Sequence, residues 1–475
     1  MEKFNSFPIN NFKHINFLNL IREDIEKRSY KIIVLDDDPT GVQTVHNVFM
    51  ITEWSKKSIE NLFESKNYIF YILTNSRSMS ENKTKAIHKK IAENISEISK
   101  NTKKDFVLIS RSDSTLRGHY PLEIRTLKST FSKNLNINYT HEIIIPAFFE
   151  CGRYTFNDIH WVKENDSLIP CSETEFSNDP QFGYKNSNLK KWIEEKTKKK
   201  ISADDVLSIS IKDIREGGPD KIKNILISNL NKTLIVNSID YKDLEVFTYG
   251  CILAEKEGIK PIFRTAASFV KIRGSIEDKE ILNSTDIFTI KDKIKNRIGL
   301  VIVGSFVKKS TEQLDLLLKN GKNILPILLN VNKVLDRSED EIERITKLAI
   351  NSLNVNKTPV IYTSRKLKIG ENALINTYIG NAISSCLVTI TKKIITGSKT
   401  KPDYLLTKGG ITSSDIITNA LGIKKVLVLG QLYPGISVLK IFTPEKFVNL
   451  SIIIFPGNVG NQNTFLEIYN KIRSN

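Results

Sequence analysis

The sequence predicts an α/β protein of two wound domains with largely parallel sheets facing an interdomain cleft. Three observations predict it. Short β-branched and aromatic runs alternate with amphipathic stretches along most of the chain, the mark of parallel layering. The alternation starts afresh near Ile298, after a charge-dense stretch from Asp278 to Arg297 in which strand signals fade. Finally, 475 residues that are 40% hydrophobic and 26% charged can fill more than one core and are too balanced for a disordered or collagen-like chain.

In order, the first strand is Lys31 to Leu35, whose Ile32 to Leu35 form an unbroken apolar run. Asn47 to Thr52, Tyr68 to Thr74, Phe106 to Ser110 and Glu142 to Pro146 repeat that character, while Ser58 to Ser65 and Lys83 to Lys100 carry apolar residues at helical spacing. From Cys151 to Gly218 the pattern weakens. Trp161, Pro170, Pro180 and Gly183 punctuate a polar region that reads as an insertion or an ordered loop system. The second domain reads as strand Gly299 to Val303, helix Ser310 to Lys319, strand Ile324 to Asn330, helix Glu339 to Leu353, strand Pro359 to Thr363 and a long helix near Glu371 to Thr391. Strands Tyr404 to Thr407, Lys425 to Leu429 and Leu450 to Phe455 and a helix from Gln462 to Ile472 complete it. The domains therefore span 1–277 and 298–475.

Seventy basic against 53 acidic residues give a formal charge of +17, a field that favours anionic partners without choosing among them. The lysines are scattered along the whole length rather than clustered on one element, so no nucleic-acid footprint is expected. The four cysteines, Cys151, Cys171, Cys251 and Cys386, lack paired spacing, which argues against a disulfide framework or zinc knuckle and for a reducing compartment. No apolar run is long enough for a signal peptide or a membrane span, so the expectation is a soluble, cytoplasmic protein with no membrane partner.

The chemistry-bearing residues gather where strands end, the edge at which open parallel sheets bind ligands. Lys31 to Leu35 runs into Asp36-Asp37-Asp38-Pro39-Thr40-Gly41. Asp-Pro-Thr-Gly is good turn chemistry by itself, but a turn needs one aspartate, and three crowded carboxylates call for a cation or a proton to share. The next exit, Ser110 to His119, packs hydroxyls, Asp113 and the guanidiniums of Arg111 and Arg117 into ten residues. Capping by Asp113 or Ser114 explains one residue; the set suits a polyhydroxylated anion, with arginine gripping a carboxylate bidentately. Thr74-Asn75-Ser76-Arg77 adds an arginine at a third exit. His46 and His119 lie near these segments and read as surface or supporting residues.

In the second domain, Gly304-Ser305 precedes a helix but fails the P-loop pattern, since Lys308 stands where its second glycine belongs. Lys408-Gly409-Gly410-Ile411-Thr412-Ser413 and Pro456-Gly457-Asn458-Val459-Gly460 join strands to helices in the same manner, and paired glycines let backbone amides approach an anion closely. Each could be only a tight connection. Three at one sheet edge are harder to dismiss. The nucleophile-elbow pattern is absent, and no paired metal motif occurs.

Taken in order, Asp37-Asp38-Pro39-Thr40-Gly41, Asp113-Ser114-Thr115-Leu116-Arg117-Gly118, Pro146-Ala147-Phe148 with Gly152-Arg153, Arg264-Thr265-Ala266-Ala267-Ser268-Phe269-Val270, Gly304-Ser305, Gly409-Gly410-Ile411-Thr412-Ser413 and Gly457-Asn458-Val459-Gly460 resemble the four-carbon acid sugar kinase family over nearly the whole chain. The resemblance implies ATP-dependent phosphorylation of a tetronate or 3-oxo-tetronate, with a substrate domain at 1–277 and a nucleotide domain at 298–475. It implies that Asp37, Asp38, Asp113 and Arg117 face the acid sugar, while Ser305, Gly409, Gly410, Ile411, Thr412 and Gly457, with Asn458 beside it, hold ATP. On this scheme Arg117 with Arg77 fixes the substrate carboxylate, Ser114 bonds sugar hydroxyls, Asp38 accepts the hydroxyl proton, and Mg2+ bridges the phosphates through ligands the sequence does not identify. A homodimer follows by analogy only. Two departures stand out: Ile411 occupies a commonly acidic position, and Phe455-Pro456-Gly457-Asn458-Val459-Gly460 stands where the family commonly has Lys-Ser-Gly-Asn-Phe-Gly, removing a phosphate-contacting lysine. The competing expectation is a non-catalytic sensor of sugar acid or nucleotide.

Overall fold

In the computed structural model, which describes residues 7–473 apart from 165, 289–296, 367, 369–370 and 372, the chain divides into two units, Met1–Asp278 and Lys279–Asn475. Part of the expected boundary stretch, 289–296, lies outside the described residues.

The first unit contains β1 (Lys31–Asp36), β2 (Val48–Ile51), β3 (Ile69–Leu73), β4 (Phe106–Arg111), β5 (His141–Ile145), β6 (Arg153–Phe156), β7 (Ile159–Glu164), β8 (Ser167–Pro170), β9 (Leu207–Ile209), β10 (Lys232–Val236) and β11 (Pro261–Thr265). Its main sheet runs β2-β3-β1-β4-β11-β5-β10-β9, and every one of these pairings is parallel. β1, β3 and β5 are buried at every residue, as strands covered on both faces must be. Helices between strands present apolar stripes to them. Glu81–Thr102 buries His88, Ile91, Ile95 and Ile98, and Leu122–Leu135 buries Ile124, Leu127 and Phe131, three- and four-residue steps that keep one face turned inward.

The expectation of a polar insertion or loop system from Cys151 to Gly218 is corrected: β6, β7 and β8 form a separate antiparallel sheet, followed by helix Leu189–Lys196 and the edge strand β9. The β6–β7 hairpin turns on Asn157-Asp158, both left-handed with φ of 52° and 62°, a two-residue turn suited to strand twist. Phe156 stacks on Trp161 at 5.0 Å and joins Ile211 and Ile239 in a small apolar cluster.

The second unit contains β12 (Gly299–Val303), β13 (Ile324–Leu329), β14 (Thr358–Thr363), β15 (Tyr404–Lys408), β16 (Lys425–Tyr433), β17 (Ile436–Thr443) and β18 (Ser451–Phe455). Its strands run β13-β14-β12-β15-β18-β17-β16. The pairings through β18 are parallel and the last two antiparallel. β17 is the strand the sequence reading lacks. It follows a tight turn at Pro434-Gly435, where Gly435 has a φ of 84°. Among the described residues no helix is long and apolar enough to cross a membrane.

Candidate functional site

Parallel register brings the first unit's chemistry to one edge. Asp36 pairs with Leu73 on one side and Arg111 on the other, and Arg111 pairs with Thr265. The exits of β3, β1, β4 and β11 are therefore neighbours, although Arg77, Asp36, Arg111 and Arg264 are far apart in sequence. Asp36 is fully buried, and its Oδ1 accepts from Arg111 Nη1 at 3.1 Å while Oδ2 has no hydrogen-bond partner. Burial, incompletely offset by the Arg111 guanidinium, pushes this carboxyl up to about 7. The turn Pro39–Val42 closes directly over it: a Cβ on Gly41 would sit 2.0 Å from Asp36 Oδ2.

Asp37 receives Arg77 bidentately, Nε at 3.1 Å and Nη2 at 2.6 Å. Asp38 caps the turn, its Oδ1 accepting from Thr40 N at 2.8 Å, and its Oδ2 lies 3.5 Å from Arg77 Nη1. The same Nη1 is 3.5 Å from Asp113 Oδ1. Asp113 Oδ2 accepts from Arg117 Nε at 2.8 Å, Thr115 N at 3.2 Å and the Thr115 hydroxyl, and Oδ1 accepts from Arg117 Nη2 at 3.3 Å. Against the desolvation that burial imposes, Arg117 and Arg77 hold the Asp113 carboxyl well below the usual range. Arg264 is buried against the rings of Tyr120 and Trp192, donates to the Arg117 carbonyl at 3.1 Å and leaves Nε without a hydrogen-bond partner. Ser114 is nearly buried, its carbonyl accepting from His160 Nε2 at 2.7 Å.

The structure thus brings Asp37, Asp38, Arg77, Asp113 and Arg117 together, with each arginine held by a carboxylate. Nε and Nη2 of Arg77 bond Asp37, and the same two atoms of Arg117 bond Asp113. The remaining Nη1 of Arg117 faces Asp179 at 3.6 Å. His119 supports the loop from behind, its Nε2 within 3.1 Å of the Ser76 carbonyl and 2.9 Å of the Met79 carbonyl. His46 bonds the Glu277 carbonyl at 3.0 Å.

The second unit repeats the device with different chemistry. Val303 pairs with Tyr362 and Lys408, and Lys408 with Phe455, so four adjacent strands release their turns side by side. The Lys408 carbonyl accepts from both Gly304 N and Ser305 N at 3.2 Å, and Gly409 N donates to the Phe455 carbonyl at 2.9 Å. Ser310 Oγ bonds Ser305 Oγ at 2.9 Å and the Gly457 carbonyl at 2.8 Å. The glycines are sterically required here. A Cβ on Gly304 would lie 2.1 Å from Thr412 Oγ1, one on Gly457 2.6 Å from Ser305 Oγ, and Gly409 has a φ of 118°. Ile411 and Asn458 are exposed on these turns. The helix after the paired glycines is short, Gly410–Asp415, and passes into a wider turn at Ile416–Ala420.

Two cations at this edge carry more than their sequence context indicates. Lys408 is fully buried, with Nζ 3.5 Å from the centre of the Phe455 ring and 3.4 Å from the Pro456 carbonyl. Burial, reinforced by Lys309, pushes its ammonium down to about 6. Arg365, two residues beyond β14, donates from Nη2 to the Ser305 carbonyl at 2.6 Å. The sequence reading passes over Arg365. The signal available was an arginine just past a strand end, the same signal that singles out Arg77. No cluster of three or more His, Cys, Asp or Glu among the described residues is placed to hold a metal.

Residues 32–273 match the model of a sugar-binding N-terminal domain, and residues 300–465 that of a nucleotide-binding C-terminal domain. The chain belongs to the four-carbon acid sugar kinase family. No curated protein matches it. Among solved structures, a Haemophilus influenzae protein of a family of unknown function shares 18% identity with this family member, covering 93% of this chain and 100% of its own, with a TM-score of 0.61. A Salmonella typhimurium LT2 protein provisionally described as a tRNA synthase shares 14% identity over 92% of this chain and 98% of its own, with a TM-score of 0.65. At these identities the likeness is one of fold. The acid and guanidinium lattice lies in the sugar-binding domain of the family, and the glycine turns lie in its nucleotide-binding domain.

Proposed function

We propose that the chain is an ATP-dependent kinase that phosphorylates a hydroxyl of a small sugar acid such as a tetronate or 3-oxo-tetronate. The observation that carries this reading is the pairing of two unlike strand-edge sites, one rich in hydrogen-bonding carboxylates within the sugar-binding domain and one cradle of Gly304, Gly409 and Gly457 within the nucleotide-binding domain. Phosphoryl transfer asks a protein chiefly to position the partners and neutralise charge. Asp38, held by Thr40 N through Oδ1, has Oδ2 turned toward Arg77 Nη1 and is the group to take the acceptor's proton. Asp37 and Asp113 hold Arg77 and Arg117 in place, so these arginines act as fixed positive charge beside the acceptor while the carboxylates receive hydroxyl hydrogen bonds.

The turns suit a nucleotide: Gly304, Gly409 and Gly457 let the three strand exits pack closely, which brings the Ser305 and Thr412 hydroxyls together where phosphate oxygens would lie. ATP supplies the transferable phosphoryl group. Mg2+ would be held mainly by the phosphates and water, since no group of three or more His, Cys, Asp or Glu among the described residues is placed to hold a metal. A sensor that binds without turnover is the second reading, favoured by the hydrophobic Phe455 at a position where the family commonly carries lysine.

A coupled ADP-release assay over a panel of tetronates tests both. Asp38→Asn should lower turnover by about a hundred- to ten-thousandfold and leave ATP affinity unchanged. Turnover near the wild-type rate in that variant would remove Asp38 as the base, and a wild type that binds acid and ATP without forming product would favour the sensor.

A further inference from the structure

We propose that Arg365 is the phosphate-binding cation of the nucleotide domain, contacting the terminal phosphates of the bound nucleotide; the proposal deepens the ATP-binding reading and rests on it. Parallel pairing of β14 with β12 sets Tyr362 opposite Val303, so Arg365 emerges beside the Gly304-Ser305 turn. Its Nη2 reaches the Ser305 carbonyl at 2.6 Å and stands 3.5 Å from Thr363 Oγ1, while Nε and Nη1 are shielded from water and make no hydrogen bond. Guanidinium donors left dry and unmatched are costly, because a buried charge needs a counter-ion or a full set of acceptors. A phosphate supplies both, since its oxygens match the planar fork that arginine presents. Burial lowers the affinity of Arg365 for its proton, and Asp315 only partly offsets this, yet arginine remains charged at any ordinary pH.

The other cations at these turns are worse placed for the task. Lys408 is sealed under Phe455 and pushed down to about 6, so it is mostly neutral near pH 7. Lys309 lies out at the exposed end, 3.3 Å from the Asn458 carbonyl. Arg365 provides the charge from a neighbouring strand exit, with its Nη2 on the Ser305 carbonyl.

The test is a calorimetric binding ladder of adenosine, ADP, ATP and inorganic tripolyphosphate on the full-length wild type, Arg365→Met and Arg365→Lys, with unliganded melting temperatures alongside. The proposal expects Arg365→Met to weaken ATP and tripolyphosphate by about tenfold or more while adenosine binds as before, and Arg365→Lys to recover part of the loss, charge being restored without the fork. Equal weakening of adenosine and ATP, or no weakening of ATP, would overturn it. Should Arg365→Met fail to fold, Arg365→Lys decides: ATP bound as tightly as by the wild type would count against a bidentate contact. A wild type that binds none of the four ligands would defeat the ATP-binding reading and this inference with it, whereas a wild type that binds ATP no better than adenosine would defeat this inference alone.

Discussion

Asp36 is where a single side chain couples the candidate site to the stability of the chain. Burial outweighs the Arg111 contact and pushes the Asp36 carboxyl in the folded protein up to about 7 from an ordinary value of 3.8. The folded chain therefore holds more protons than the unfolded chain between those values, so the stability linked to this group is complete below 3.8 and is lost as the pH climbs through 7. Asp36→Asn keeps an oxygen for Arg111 and cannot titrate. Relative to this variant, the wild type should lose roughly 2–3 kcal/mol between about pH 5 and about pH 8 in urea unfolding; a difference that stays flat across that range would show that the carboxyl is ionised throughout. At this scale the sequence was partly legible. Asp37, Asp38, Asp113 and Arg117 stand out because each follows an obvious strand and their types crowd like charges. Their pairing was not legible, since which carboxylate occupies which guanidinium depends on the register of β1 against β4 and the turn of Arg77. Arg365 escapes for another reason: in Ser364-Arg365-Lys366 it looks like one more solvated cation.

Elements place these residues, and the turns between elements have the least freedom. Gly304 directly follows β12 with Thr412 against it, so that a Cβ would fall 2.1 Å from Thr412 Oγ1, well inside contact distance. Gly304→Ala should force the β12 and β15 exits apart, costing about 1–3 kcal/mol in denaturant unfolding. It should abolish the thermal shift given by ATP and keep that given by a sugar acid, whose residues lie in the other unit. An ATP shift equal to the wild type's would show that the turn does not contact nucleotide. Strands with continuous apolar runs, such as β1 and β12, are visible in the sequence because both faces are covered. β17 is harder to see: Ile436–Thr443 mixes apolar and polar residues, and it pairs antiparallel with β16 through a register that slips at several points. The β6–β8 sheet is obscured likewise, its strands being four to six residues long and only partly buried, so that hairpin turns rather than hydrophobic runs define it.

Across the whole molecule the formal charge of +17 acts at longer range than any contact described above. The first unit's site sets Asp36, Asp37, Asp38 and Asp113 against Arg77, Arg111, Arg117 and Arg264, so much of its charge is matched locally. The excess that draws an anion therefore comes mostly from the scattered lysines. Such a field raises the rate of encounter and is screened over about 10 Å at 0.1 M salt, whereas a contact made after docking lies inside that distance. The association rate of a fluorescent ATP analogue, followed by stopped flow, should consequently fall by roughly tenfold between about 0.02 M and about 0.5 M salt, with the dissociation rate changing far less. A neutral adenosine analogue should show no comparable fall. If salt instead acts mainly on dissociation, the phosphates are held chiefly by fixed charge at the glycine turns. In that case Arg365→Met should remove most of the salt dependence, a result that would transfer the electrostatic role from the lysine-rich surface to one residue.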